Sequence, residues 1–298
     1  MKMNSRKAEF LMVTVSLAWG SSYLLMKVGL DGIGPFSLIA LRFGIAFACM
    51  FAIFLPRFRE LTVSVLGKGI LMGILLFCLF TGLVFGVKHT TASTAGFLAS
   101  TTVIIVPIIE SILKRRLPQK SVTVSILLAV IGLYLLTMKD SFSLDIGAIY
   151  CLLAALFYAI YIVTLDRLSK KTDTFLISII QLGVVALLGF IFTLFVETPA
   201  LPQTPMQWGA ILGLGIICSA YGFVVQPIAQ RFTSSEKIGL IFSLEPVFSA
   251  ILSFVFLHEI LDIKGYIGAA LIFSGVVFSQ IKMEELRLYA NRPSRLYQ

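Results

Sequence analysis

Apolar residues in this chain run in long stretches instead of alternating with polar ones. Short gaps between the stretches hold most of the charges, prolines and turn-forming residues. Each stretch is roughly 17 to 24 residues long, enough for a helix to cross about 30 Å of hydrocarbon. The pattern predicts ten spans, at 9–29, 35–55, 66–86, 91–113, 121–138, 146–165, 175–196, 207–229, 237–257 and 265–281. All are expected to be α-helices, because lipid cannot satisfy open backbone groups.

Composition agrees. Of 298 residues, 58% are hydrophobic and 13% charged, against about 45–50% and about 25% in soluble domains. No soluble core of this size hides that much apolar surface, so the chain reads as an all-α integral membrane protein.

The net charge of +9 changes meaning in this setting. In a soluble protein it would suggest nucleic acid, where basic side chains neutralise phosphates. Here Lys2, Arg6, Lys7, Arg57, Arg59, Lys68, Lys114, Arg115, Arg116, Lys120, Arg167, Lys170, Lys171, Arg231, Lys237, Lys282, Arg287, Arg292 and Arg295 fall on one side of the predicted spans. The other side holds only Lys27, Lys88, Lys139 and Lys264. Basic residues collect on the cytoplasmic face, so both termini are expected inside, in a bacterial inner membrane. Nucleic-acid binding is not expected; the expected partners are the bilayer and a small-molecule solute, in a monomer or weak dimer.

The N-terminal basic residues and the apolar run after them could pass for a signal peptide, but the nine further spans favour an uncleaved first helix. Cys49, Cys78, Cys151 and Cys218 are scattered through apolar runs. They read as small core residues, with no disulfide framework or metal site.

The two halves resemble each other. A shift of 143 positions lays 90–138 on 233–281 without a gap, pairing Thr90 with Thr233, Gly96 with Gly239, Ser100 with Ser243, Ile108 with Ile251, Leu128 with Leu271 and Gly132 with Gly275. Five spans per half is an odd number, so the second half enters from the opposite side. Inverted-topology repeats of this kind recur in secondary transporters. The expected division is 1–140 and 141–298, each half contributing five helices around a central cavity. Arg116 at the end of the fourth span then corresponds to Glu259 at the end of the ninth, opposite charges on opposite faces. Gly69, Gly73, Gly82 and Gly86 in the third span and Gly209 with Gly213 in the eighth have the spacing that lets helices pack closely.

Four stretches together, AWGSSYLLMKVGL (18–30), LRFGIAFACM (41–50), TAGFLASTTVIIVPIIESILKRRLPQK (94–120) and SLEPVFSAILSFVFLHEIL (243–261), resemble the EamA-type members of the drug/metabolite transporter superfamily. The resemblance spans nearly the whole chain, through WGS in the first helix, an RF pair in the second, and EP with a terminal Glu in the ninth. It implies a ten-helix transporter of two inverted repeats. Family members move amino acids, nucleotide sugars, cofactors or toxic cations, many as exporters.

Catalytic signals are scarce. His89 and His258 are the only histidines, and there is no HExxH, Walker or nucleophile-elbow motif. No enzyme activity and no cofactor is expected. The missing nucleotide-binding loop leaves an ion gradient, with protons as the candidate, or the solute's own gradient to drive uphill movement.

Charges inside spans cost about 2.5–3.5 kcal/mol on insertion scales and are functional candidates by default. Glu245 could bind an ammonium group or carry a coupling proton, or could steady a kink at Pro246. Arg42 could fix a carboxylate with its planar fork, or snorkel outward or pair with an acid. Glu110, four residues before Lys114, suits an interfacial ion pair, with an inner gate as the alternative; Pro107 and Pro246 are hinge candidates. Lys27 reads as snorkelling. Trp19, Ser22, Tyr23, Phe97, Thr101, Tyr158, Tyr161, Gln181 and Tyr221, with Gln226 as a further polar point, are candidates to line the cavity, each with packing as the competing explanation. The tail from Glu284 reads as polar, basic and partly disordered.

The leading expectation is export of amino acids or similar amphipathic metabolites by alternating access. Organic cations, cofactors or nucleotide-like solutes remain open, as does a non-transporting membrane protein or membrane enzyme. Scarce intramembrane basic residues lean against nucleotides. Arg42 and Glu245 would suit an amino acid if they share one cavity.

Overall fold

The computed structural model describes residues 5–113, 115, 120–137, 145–169, 174–230, 232 and 241–290. Among them every regular element is helical: α1 (Ser5–Gly29), α2 (Pro35–Phe54), α3 (Val63–His89), α4 (Ala92–Ser100), α5 (Thr102–Leu113), α6 (Lys120–Thr137), α7 (Ile146–Ser169), α8 (Thr174–Val196), α9 (Pro205–Leu212), α10 (Gly222–Gln230), α11 (Glu245–Leu257) and α12 (Ile263–Ala290). A 3₁₀ turn, Leu55–Glu60, follows α2, and a π-helical stretch, Gly213–Tyr221, joins α9 to α10.

Among the described residues, six helical segments are long and apolar enough to cross a membrane: Arg6–Gly29, Pro35–Glu60, Val63–His89, Ala92–Leu113, Ile146–Leu165 and Phe175–Val196. Three shorter apolar helices among the described residues are Thr123–Leu136, Glu245–Leu257 and Ile263–Phe278. The expected eighth span is divided among α9, the π stretch and α10, and the ninth is described only from Ile241. Lys2, Lys114, Arg116, Lys139, Lys170, Lys171, Thr233, Lys237, Gly239, Arg292 and Arg295 lie outside the described residues, as does Arg231.

Two predicted continuous helices are interrupted. The fourth breaks at Thr101, whose N–H reaches back to the Leu98 carbonyl at 3.1 Å, one residue short of an α-helical bond. The ninth breaks at Leu244, whose N–H reaches the Ile241 carbonyl at 3.0 Å. Pro246 therefore opens α11 and does not kink a continuous helix. The reason is steric: in a first turn proline's missing N–H costs nothing, whereas an interior proline breaks a bond and clashes. Of the tail from Glu284, the part to Ala290 continues α12 as helix, and residues 291–298 lie outside the described residues.

Helices α2 and α8 pack together, as do α3 with α7, α6 with α12, α11 with α4, and α1 with the α9–α10 run. Glycine makes the close crossings. A side chain at Gly73 would press on Val184 of α8, and one at Gly82 would meet the Tyr150 carbonyl of α7 at 2.9 Å. Gly132 and Gly268 face each other's carbonyls across α6 and α12. Gly209, by contrast, faces open space, whereas a side chain at Gly213 would meet Leu25 of α1 at 3.1 Å, so only one of that expected pair lies at a helix contact.

One end of the bundle is fastened by polar contacts. Lys27 does not snorkel: its Nζ donates to the carbonyls of Val87 (2.9 Å) and Thr90 (2.6 Å), drawing the ends of α1 and α3 together. The starts of α2 and α4 follow within a few residues, so they lie at the same end. Helix starts leave backbone donors unpaired. At α2, Pro35 has no N–H, Gly34 has no capping side chain, and Glu197 accepts from the N–H groups of Phe36 (3.0 Å) and Ser37 (3.1 Å) and from the Ser37 hydroxyl (3.1 Å). At α4, Glu259 accepts in the same way from Ala92 (3.0 Å), Ser93 (3.1 Å) and the Ser93 hydroxyl (3.1 Å). The acid at 259 thus has a structural cause besides any effect of orientation: the Thr91 hydroxyl caps only the Thr94 N–H (3.1 Å), leaving the first two amides of α4 to Glu259.

Candidate functional site

The central helices leave a cavity of about 140 Å³. That is close to the roughly 150 Å³ of an engineered cavity that holds benzene, so a small solute fits. Its wall draws on α1 (Trp19, Ser22, Tyr23), α2 (Arg42), α3 (Leu76, Leu79, Phe80, Leu83), the α4–α5 junction (Ala99, Ser100, Thr102, Val103), α7 (Ala154, Ala155, Tyr158, Ile162), Phe223 of α10, and Phe242 with Glu245 beside the second break. Mostly apolar walls with a few placed polar groups are the usual make-up of a small-molecule site.

The polar groups divide into those already occupied and those open to a ligand. Ser22, Ser100 and Thr102 donate their hydroxyls to the carbonyls of Trp19 (2.7 Å), Phe97 (2.6 Å) and Ala155 (3.1 Å). The Trp19 indole N–H donates to the Cys218 carbonyl at 2.9 Å, within the π stretch, while its ring packs on Phe223 and Phe242. These side chains shape the wall. What remains for recognition is Arg42, the Glu245–Tyr23 pair and Tyr158, whose hydroxyl has no hydrogen-bond partner among the described residues.

Arg42 neither snorkels nor joins a carboxylate among the described residues, and it is only 2% exposed. Its Nε donates to the Ser219 hydroxyl at 2.8 Å, and Nη1 lies 3.6 Å from the Met26 sulfur. The guanidinium sits over the rings of Phe80 (4.5 Å to the centroid) and Phe43 (5.2 Å), an arrangement that offsets part of the cost of burying a cation. Ser219 comes from the π stretch, where the wider winding alters which side chains and carbonyls face the neighbouring helices. Opposite charge comes from Glu245, whose Oε1 accepts the Tyr23 hydroxyl at 2.8 Å. One cavity therefore holds a cation and a carboxylate.

Of the side chains singled out from sequence, Trp19, Ser22, Tyr23, Arg42, Tyr158 and Glu245 face this cavity. The others lie elsewhere. Phe97 is buried in a separate apolar cluster with Ile104 and Ile272. Thr101 turns its hydroxyl onto the Leu98 carbonyl at 2.6 Å. The Tyr161 hydroxyl donates to Gln181 Oε1 at 3.0 Å, and Tyr221 and Thr14 share a hydrogen bond of 2.7 Å. Gln226 is half-buried on α10. Pro107 lies inside α5, with its carbonyl accepting the Ser111 hydroxyl. Glu110 is half-buried on the same helix, and its proposed partner Lys114 is outside the described residues. The sequence reading missed the Leu76, Leu79, Phe80 and Leu83 stripe of α3, Phe223, Phe242 and the arginine-holding Ser219.

Among the described residues no group of three or more His, Cys, Asp or Glu could hold a metal, and all four cysteines are free.

Fold and site define a multi-pass helical membrane protein with a lined internal cavity. More specifically, the chain belongs to the EamA-like transporter family, which it matches over residues 6–138 and again over 145–280. It is similar to an uncharacterized transporter of Archaeoglobus fulgidus, 31% identical over 93% of this chain and 86% of that one. It is also similar to the uncharacterized transporter YetK of Bacillus subtilis, 26% identical over 91% of this chain and 86% of the relative. A crystal structure sharing 21% identity superimposes over 95% of this chain and 99% of its own with a TM-score of 0.67, a likeness of fold.

Proposed function

We propose that this protein exports amino acids or closely similar zwitterionic metabolites across a bacterial inner membrane by alternating access. The observation that carries the reading is the presence of Arg42 and Glu245 in one small, mostly apolar cavity. A planar guanidinium suits a carboxylate; a carboxylate suits an ammonium group, and the apolar wall suits a side chain. The Ser219 bond occupies Nε and Nη1 meets the Met26 sulfur, so Nη2 is the nitrogen most open to the solute. Glu245 is also the group to exchange a coupling proton, with Tyr23 as its hydrogen-bonded neighbour.

The scaffold is read as ten spans in two inverted repeats, 1–140 and 141–298, with both termini cytoplasmic. Three features support this. The family match occurs twice in succession. The breaks at Thr101 and Leu244 are 143 positions apart, the offset of the sequence repeat. The packing pairs also exchange under that repeat, α3 against α7 corresponding to α1 against the α9–α10 run.

The test is a panel uptake assay in proteoliposomes, comparing labelled amino acids, a quaternary cation and a cofactor with and without a pH gradient. Amino acids are expected to move faster than in empty liposomes, and the gradient to accelerate them. Movement of the cation alone would turn the reading to cation export through Glu245, and movement of nothing would remove its main support.

A further inference from the structure

Glu197 and Glu259 lie outside the cavity wall, yet both join segments that are distant in sequence and do so in the same way. Each acid follows the end of a helix in the second family-matched segment, α8 for Glu197 and α11 for Glu259. Each accepts two backbone N–H groups and a serine hydroxyl at the start of a helix in the first, α2 or α4, at 3.0 to 3.1 Å. Both contacts lie at the end of the bundle where Lys27 ties α1 to α3.

We propose that these two carboxylates form a double latch that closes the cavity at this end, assigned above to the outside, and that both must release before the cavity opens there. The proposal rests on the alternating-access reading. The latched helices carry the cavity wall: α2 brings Arg42, α4 brings Ala99 and Ser100, and α11 brings Glu245. Separating α8 from α2 and α11 from α4 at this end would draw the wall apart. The Lys27 contacts stay within the first segment, so they hold α1 on α3 while the latches join one segment to the other.

Local structure is shaped to make both contacts. A side chain at Gly34 would overlap the Glu197 carboxylate. His258 takes a left-handed conformation, φ 55° and ψ 30°, and the chain reverses there so that the Glu259 N–H reaches the Ser253 carbonyl at 3.3 Å. Glycine usually fills such a position. The opposite end of the α2–α8 pair is joined differently, by Phe54 edge-on to Phe175 at 4.6 Å and the Arg57 guanidinium 4.9 Å above the same ring. Ring contacts tolerate tilting more than directional hydrogen bonds do, so that end can act as the pivot.

The test places a thiol in the cavity as Ser100→Cys and measures its labelling by a membrane-impermeant maleimide at each face, in sealed cells and in inverted vesicles. The parent protein without that cysteine measures the background from Cys49, Cys78, Cys151 and Cys218. Glu197→Gln or Glu259→Gln is expected to raise labelling from the outer face about 3-fold, and the double variant about 10-fold, with a fall at the inner face as the populations shift. Unchanged rates, or a rise at both faces, would overturn the latch. Should the Gln variants fail to accumulate, Ser37→Ala and Ser93→Ala remove one bond from each contact, and a smaller shift in the same direction is then required. No solute is needed for labelling, so a lost latch leaves the transport reading standing, while a failed uptake panel leaves the latch result standing.

Discussion

The two breaks in the bundle, at Thr101 and at Leu244, are alike in backbone and unlike in chemistry. Each has an N–H that reaches back three residues, and each offers its carbonyl to the residue four places on, Ile105 in the first case at 3.1 Å and Phe248 in the second at 2.9 Å. Past the first break stand Thr102 and Val103, both in the cavity wall, with the threonine hydroxyl committed to the Ala155 carbonyl. Past the second stand Glu245, which keeps one oxygen free of hydrogen bonds to the described residues, and Pro246. Two breaks of similar backbone stand beside one cavity, and only one carries a charge. A second carboxylate at the first would face the first across a low-dielectric space, where like charges repel strongly. Different side chains at two similar breaks thus leave a single carboxylate in the cavity, with Arg42 of α2 as its cation.

Substitutions at the charged break should have the largest effect. Glu245→Gln keeps the shape and the Tyr23 contact but removes the charge; transport is expected to fall at least about 10-fold, the loss of roughly 1.4 kcal/mol of recognition, and to lose its response to a pH gradient. An unchanged pH response in a well-folded variant would leave Glu245 as a support for Tyr23. Arg42→Ala comes next: KM for a carboxylate-bearing solute should rise about 10-fold, and Ser219→Ala, which frees the guanidinium without removing it, should give a smaller rise of the same kind. Equal effects on a solute lacking a carboxylate would argue that Arg42 only packs. The smallest effects belong to the comparison's backbone side. Thr102→Val should cost about 1 kcal/mol through its lost hydrogen bond, and Pro246→Ala less than about 1 kcal/mol, because a first-turn proline carries little beyond restraint of the unfolded chain. Thermal unfolding in detergent would measure both, and a large loss at Pro246 would revive the hinge that the sequence suggested.

How far the sequence could be read followed from the signal each feature leaves. Helices were legible because runs of apolar residues matched a bilayer, and the cavity charges because Arg42 and Glu245 are conspicuous in such runs. The α3 stripe from Leu76 to Leu83 was not legible, since a leucine facing a cavity looks the same as one facing lipid. Ser219 was hidden among the many hydroxyls that bond their own helix. Phe97 and Tyr161 show the converse error, side chains of the right type turned toward other neighbours. Pro246 misled because a proline can mark either a kink or a helix start, and the long apolar run around it favoured the kink. Glu197 and Glu259 act on partners 160 or more positions away. The one clue was the start of α2, Gly34-Pro35, which has no capping side chain of its own.

That borrowed capping has a consequence for how the protein is made. Translation delivers α2 and α4 to the membrane well before residues 197 and 259 exist, so two helix starts in the first half enter with their leading amides unsatisfied and must stay near headgroup water until the second half arrives. A chain arrested before Glu197 should therefore leave these helix starts accessible to solvent and to proteases, and completion of each acid during synthesis seals one of them.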